Sequence, residues 1–450
     1  MNKILIVICF LFCLGVSVTV FPEGAVAVLT MLFFSIISIA LIRRNAGEDT
    51  EFLLRLFVVG LLLRAAFATY IHVYDLRGFF GNDATLYDMY GTRLSQMWMG
   101  DTRVDDTFSR RAANLGDSGW GMNYLVAAIY SVVGRSALSA QYFCVVIGAA
   151  TVPLVYACAY KIFGSRQVGK TSALMVALFP AFIIWSAQLL KDGLIVFLLV
   201  LAITMVLQIQ ENFSFPKAAL LLLAMCSILT LRFYIFYMVV AAVAGSFAVG
   251  SSSSNQSIFK RLAAVLIVGV GLIYLGAARN AGQNLTEYGD LKRIQQSRLD
   301  LSTSAESGFG AELDVSTTEG AITALPVGFA YLMFAPFPWQ IKNFRQALAM
   351  PEVLLWWAMM PLLVAGLIYT IKYRLRNAIP ILLFTSLLIV GYSLFLGNVG
   401  TAYRQRTQIQ VFLYMFIGVG WTLRKEKREI KKMENEIARQ KTRQKSVQTV

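Results

Sequence analysis

Histidine is nearly absent. The 450 residues contain one, His72, and five cysteines (Cys9, Cys13, Cys144, Cys158 and Cys226), none of them in a C-x-x-C pair. That argues against a zinc site or a disulfide framework, and all five cysteines lie in apolar runs where packing accounts for them. Charge is also scarce. Only 14% of the residues are charged and 57% are hydrophobic, whereas soluble domains run near a quarter charged. Repeated apolar runs of about 18 to 22 residues match the hydrocarbon thickness of a bilayer, so the chain reads as an all-α polytopic membrane protein. No convincing internal repeat is visible, which disfavours an alternating-access transporter.

The net charge of +15 does not point to nucleic acid. Lys and Arg concentrate in short connectors and in the tail from Arg424, which has ten basic and four acidic residues. The positive-inside rule explains such a distribution. Residues 1–21 resemble a signal peptide, and Ala25-Val26-Ala27 could pass for a cleavage site. Cleavage there would strand a short apolar segment, so two retained helices, about 4–21 and 24–42, are predicted. Further spans are predicted at about 52–74, 138–160, 170–187 and 189–209, in a hairpin over 216–250 broken near Arg232, and at 259–277, 352–371, 378–396 and 407–423. The total is about twelve, with both termini cytoplasmic and outer-face juxtamembrane helices, one of them over 121–133. The divisions are a hairpin 1–44, a core 45–277 including an outer loop 75–137, a second outer loop with an interfacial elbow 278–351, C-terminal spans 352–423 and a basic cytoplasmic tail 424–450. The tail is expected to lie near anionic lipids.

The stretch 75–123 is a long polar interruption holding seven Asp and five Arg. Near its start stands Gly81-Asn82-Asp83-Ala84-Thr85-Leu86-Tyr87. With the predicted topology, Asp83, Asp88, Lys191, Asp192, Arg232, Arg279, Arg404 and Arg406 all fall on the outer face. Carboxylates facing several cations suit transfer chemistry on a phosphate-bearing lipid. Cations hold the phosphate and stabilise charge developing on it as it leaves, and a carboxylate can take the proton of the attacking hydroxyl. No metal is demanded, although an Asp-rich loop could hold one. Each residue also has a structural reading. Asp83 could cap a helix, Lys191-Asp192 could be a turn with a local ion pair, and Arg404 and Arg406 could contact headgroups. Arg232 needs a partner, which a purely structural one would satisfy, Arg55 and Arg64 could snorkel, and His72 suits interfacial packing.

These motifs resemble the GT-C superfamily of integral membrane glycosyltransferases, especially bacterial relatives of protein O-mannosyltransferases and the lipid A aminoarabinose transferase. Residues 81–87 are similar to the first-loop Gly-Asp-Glu/Ala-x-x-Tyr signature. Met122-Asn123-Tyr124-Leu125 stands where the family has a Pro-Pro-Leu helix, here without its prolines. Tyr160-Lys161-Ile162-Phe163-Gly164, Phe179-Pro180 with Trp185-Ser186, and Leu190-Lys191-Asp192-Gly193-Leu194 continue the pattern in order. The resemblance covers about 50–210 and implies a GT-C-like bundle in the plasma (inner) membrane. It also implies an inverting transferase that takes sugar from a polyprenyl-phosphate donor to a glycan, lipid or protein acceptor. Asp83 would then be the catalytic carboxylate, with Lys191, Asp192, Arg232, Arg404, Arg406 and Tyr87 binding substrate. The alternatives are an O-antigen-type polymerase or ligase of lipid-linked oligosaccharides, or a non-catalytic transporter of lipid-linked glycans.

Overall fold

The computed structural model describes residues 3–101, 107–114, 119–249, 290–303 and 306–448. The predicted span at 259–277, the serine linker before it, Arg279 and the Asn284 sequon lie outside the described residues. All the regular elements described are helices. In order they are α1 (Lys3–Thr19), α2 (Glu23–Asn45), α3 (Thr50–Val73), α4 (Arg77–Phe80), α5 (Asp83–Trp98), α6 (Thr107–Ala112) and α7 (Trp120–Val133). There follow α8 (Ala137–Phe163), α9 (Arg166–Leu178), α10 (Pro180–Ser186), α11 (Lys191–Glu211), α12 (Phe215–Leu231) and α13 (Phe233–Val249). The last six are α14 (Leu291–Thr303), α15 (Thr318–Phe334), α16 (Phe344–Ala358), α17 (Met360–Tyr373), α18 (Leu375–Phe395) and α19 (Val399–Gln448).

Five helical stretches among the described residues are long and apolar enough to cross a membrane: α2, α3 with the turn before it, α8, α11 and α18. The bent pairs α9–α10 and α16–α17 raise this to seven if each is one span. The chain is thus an all-α polytopic membrane protein. The ends of the bundle are chemically distinct. At one end Glu23 accepts from the Leu138 amide at the start of α8 and lies 3.4 Å from His72 at the end of α3. At the other, Lys170 reaches Asp49 at 2.7 Å, Arg166 pairs with Glu48, and Lys161 pairs with Glu211. The basic connectors therefore gather at one end, as the charge pattern anticipates.

Three features differ from the sequence reading. The predicted span 170–187 is broken by 56° between α9 and α10. Pro180 has no amide hydrogen to give the Val176 carbonyl, and the buried Arg64 supplies the missing donors. Its Nη2 reaches the Val176 oxygen at 2.9 Å, its Nη1 the Ala177 oxygen at 3.2 Å, and its Nε the Ser186 hydroxyl at 2.9 Å. Arg64 therefore does not snorkel; it caps a broken helix from inside the bundle. Secondly, residues 318–334, read as loop end and elbow, form α15, which Thr317 caps by accepting from the Gly320 amide. The elbow proper begins at Ala335, where Pro336 and Pro338 end the helix. Thirdly, the last span, predicted from 407, begins earlier, at Val399. Asn398 accepts from the Gly400 and Thr401 amides and so starts α19. Arg404 and Arg406 consequently sit on a rigid helix.

That last helix is the spine of the bundle. Almost every residue from 402 to 420 is buried, against α9, α10, α11, α15, α17 and α18. The backbone of α17 comes close to it because Gly366 faces Phe416 and Gly420 faces Leu362, small residues at the crossing being what lets helices approach in a membrane. Replacing Arg64 by Ala should strand the two α9 carbonyls in a buried site and cost about 3 kcal/mol. Thermal unfolding in detergent should show a fall of several degrees in Tm. An unchanged Tm would mean that those carbonyls find other donors.

Candidate functional site

The predicted break at Arg232 is present. That residue is extended between α12 and α13, with φ −153°, and its side chain points into the bundle. Leu190, also extended, starts α11 with Lys191 and Asp192 in its first turn. A buried carboxylate is favourable there because the helix N-terminus is positive. Gly81, at φ +134°, turns the chain sharply before α5 in a backbone region open to glycine. Asp83 is the first residue of that helix. The helix-cap role foreseen for Asp83 goes unused, since its carboxylate points to Arg404 instead.

These elements converge on Asp192, which is fully buried. Its Oδ1 accepts from Arg232 Nη2 at 3.0 Å and its Oδ2 from Arg404 Nε at 2.6 Å. Arg404 Nη1 then reaches Asp83 Oδ2 at 2.8 Å. The chain of contacts continues from Arg232 Nη1 to the Tyr392 hydroxyl at 3.4 Å, and from that hydroxyl to Gln408 Oε1 at 2.7 Å. The guanidinium of Arg404 also lies over the Trp185 ring, 5.8 Å from its centre. Thus the local ion pair foreseen for Lys191-Asp192 is replaced by long-range pairs to two arginines.

Lys191 completes the group from the side. A Cβ added at Gly119, the residue before α7, would lie 2.6 Å from Lys191 Nζ and 3.4 Å from the Tyr87 hydroxyl. Glycine there, at φ +90°, lets the loop end close onto the ammonium. Burial, and next the Asp83 carboxylate, push the Tyr87 phenol up, so at neutral pH it keeps its proton and can donate it. Three cations face two carboxylates, and the cluster carries one net positive charge. Helices α5, α7 and α11 all begin here, and none has a side-chain cap. Free amides and surplus positive charge together suit an anion.

Two predicted residues take other places. Arg406 is fully buried, and its Nη1 donates to the carbonyls of Met333 and Ala335 at 3.0 and 2.9 Å. It ties α15 and the elbow to α19, two residues from Arg404 but on another face. Asp88 is buried beneath Tyr130 and Arg135, at 2.6 and 3.0 Å, where it joins α5 to the end of α7. Tyr392, Gln408 and Trp185 were given no role by sequence. Gln408 had a signal, being a polar residue four positions after Arg404 and so on the same helix face, and Trp185 stood in the Phe179-Pro180/Trp185-Ser186 pattern. Among the described residues no three His, Cys, Asp or Glu side chains stand close enough together to hold a metal.

Residues 117–276 match the family model described as dolichyl-phosphate-mannose-protein mannosyltransferase. The match covers about a third of the chain. The matched segment includes Lys191, Asp192 and Arg232, while Asp83 and Arg404 fall outside it. No curated protein matches the chain. The oligosaccharyltransferase of Archaeoglobus fulgidus, solved in its apo form, is similar at TM-score 0.43 and 13% identity, over 87% of this chain and 52% of that one. The chain therefore spans about half the length of that protein.

Arg404→Lys tests the geometry of the site. Lysine keeps the charge but offers one nitrogen where the guanidinium offers three, so it cannot hold Asp192 and Asp83 together. A stability loss on the order of 1 kcal/mol is expected by thermal unfolding. Wild-type stability in Arg404→Lys would show that one of the two contacts is dispensable.

Proposed function

We propose that this protein transfers a sugar from a polyprenyl-phosphate-linked donor to an acceptor hydroxyl at the outer face of the plasma membrane. One observation carries the proposal. A cluster of Arg232, Arg404 and Lys191, with one net positive charge and three uncapped helix starts, stands beside the half-exposed carboxylate Asp83. The family-model match over residues 117–276 supports the reaction class. The topology that goes with this reading has both termini in the cytoplasm and about twelve spans, the shorter apolar helices making up the number.

In this reading the donor's phosphate lies against Arg404, Lys191 and the Tyr87 hydroxyl, while Arg232 and Asp192 hold the cluster together from behind. The acceptor oxygen attacks the anomeric carbon as the bond from that carbon to the phosphate oxygen breaks. The electron pair passes to the phosphate, where the cations stabilise it, and the hydroxyl proton passes to Asp83. A single displacement of this kind inverts the anomeric configuration.

The test is a reconstituted assay that follows release of polyprenyl phosphate from a labelled polyprenyl-phosphate sugar. Asp83→Asn should lower kcat by about 100-fold or more, the usual contribution of a general base. Arg404→Ala should lower kcat/KM by a similar factor, because it removes a ligand of the leaving group. Full activity in both variants would overturn the assignment, and a wild-type protein that moves the lipid without releasing polyprenyl phosphate would point to transport.

A further inference from the structure

Arg404 is claimed from two sides by carboxylates of very different standing. Asp192 has no exposure and a second arginine to hold it; Asp83 is 46% exposed, with Arg404 as its ion-pair partner among the described residues. Asp83 uses only the Nη1 donor of the guanidinium, at 2.8 Å. The neighbouring Nη2 is buried and makes no hydrogen bond. Nη1 and Nη2 together form the end-on fork of an arginine, which a phosphate with two free oxygens can fill with parallel bonds. A single carboxylate oxygen on one prong leaves the fork half used. The other edge, Nε, is fixed by Asp192 and the face by Trp185, so the guanidinium cannot turn to offer a fresh edge to a ligand.

A ligand phosphate that takes this fork must therefore move Asp83 off it. The backbone permits that movement. Asp83 is the first residue of α5, preceded by Asn82 and by Gly81, beside which a Cβ would meet nothing within 4 Å. While paired, Asp83 Oδ2 is engaged by the guanidinium.

We propose that Asp83 is an internal substitute for the donor's phosphate, masking Arg404 in the free protein and released as a base when a phosphate displaces it. This rests on the donor reading above and adds an order to it. Donor binding unmasks the carboxylate, and the acceptor hydroxyl is activated only afterwards. A site built this way keeps its base occupied until there is a sugar to transfer. It also makes Asp83 a competitor of the donor as well as its catalytic partner, and the two roles pull binding and turnover in opposite directions.

That opposition supplies the test. Binding of geranyl phosphate to the full-length protein in nanodiscs is measured by calorimetry at fixed ionic strength, for wild type, Asp83→Asn, Asp83→Glu and Asp192→Asn. Removing the competing charge should tighten binding to Asp83→Asn by roughly 1.5- to 5-fold, the range expected for losing a partly exposed ion pair. Asp83→Glu, which still competes, should stay near wild type. Asp192→Asn should bind more weakly, because Arg404 loses its anchor. A structural or directly ligand-holding Asp83 would give weaker binding in Asp83→Asn. Equal or weaker binding there, with wild type binding normally, overturns this inference and leaves the donor reading intact. No binding by wild type or Asp83→Asn overturns both. Should the asparagine variant lose its thermal transition, Asp83→Ser answers the same question without the amide.

Discussion

The end of the bundle that carries the arginine cluster depends on one buried carboxylate. Asp192, with no solvent exposure, divides its two oxygens between Arg232 and Arg404, which come from the α12–α13 break and the start of α19. Inside a bundle that spans a membrane, an isolated charge is costly and persists only when paired. Removing one partner of such a pair leaves the other unpaired and buried, a far larger loss than the pair's own net contribution. The three elements are thus locked into one relative position by electrostatics, and α12, α13 and α19 inherit their register from it. Everything at the site surface, including the aim of Arg404 at Asp83, follows from that lock.

Two further buried arginines obey the same constraint by another route. Arg64 and Arg406 have no carboxylate in hydrogen-bond contact. They satisfy broken backbone instead, Arg64 at the α9–α10 bend and Arg406 at the end of α15. In a medium without water, a carbonyl left over at a proline break needs a donor from elsewhere in the protein. An arginine reaching in from a neighbouring helix provides several at once. The bundle therefore contains two kinds of arginine that look alike in sequence. One kind repairs helices, and the other kind, in Arg232 and Arg404, is organised by a carboxylate.

This distinction marks what could be read from the chain alone. The apolar runs, the hairpin break at Arg232 and the sorting of basic connectors to one end were all legible, because each follows from local composition and length. So was the gathering of Asp83, Lys191, Asp192, Arg232 and Arg404, since topology brings helix ends together. The division of labour was not legible. Arg404 and Arg406 stand two apart in the same motif, yet only Arg404 meets Asp192, because a helix turns residues two apart to different faces. The start of α19 at Val399 was hidden as well. Its polar first turns look like a loop until Asn398 is seen capping it and the cluster is seen satisfying the side chains. Arg64 gave no hint of its role, since the Val176 carbonyl freed by Pro180 lies 112 positions away.

The direct test of this account is a pair of double-mutant cycles on thermodynamic stability, one for Asp192 with Arg404 and one for Asp192 with Arg232, each residue replaced by Ala. A shared keystone requires strong non-additivity in both cycles, with coupling on the order of 1 to 3 kcal/mol. Losses that simply add, within about 0.5 kcal/mol, would contradict it and would mean that the arginines hold their positions without Asp192.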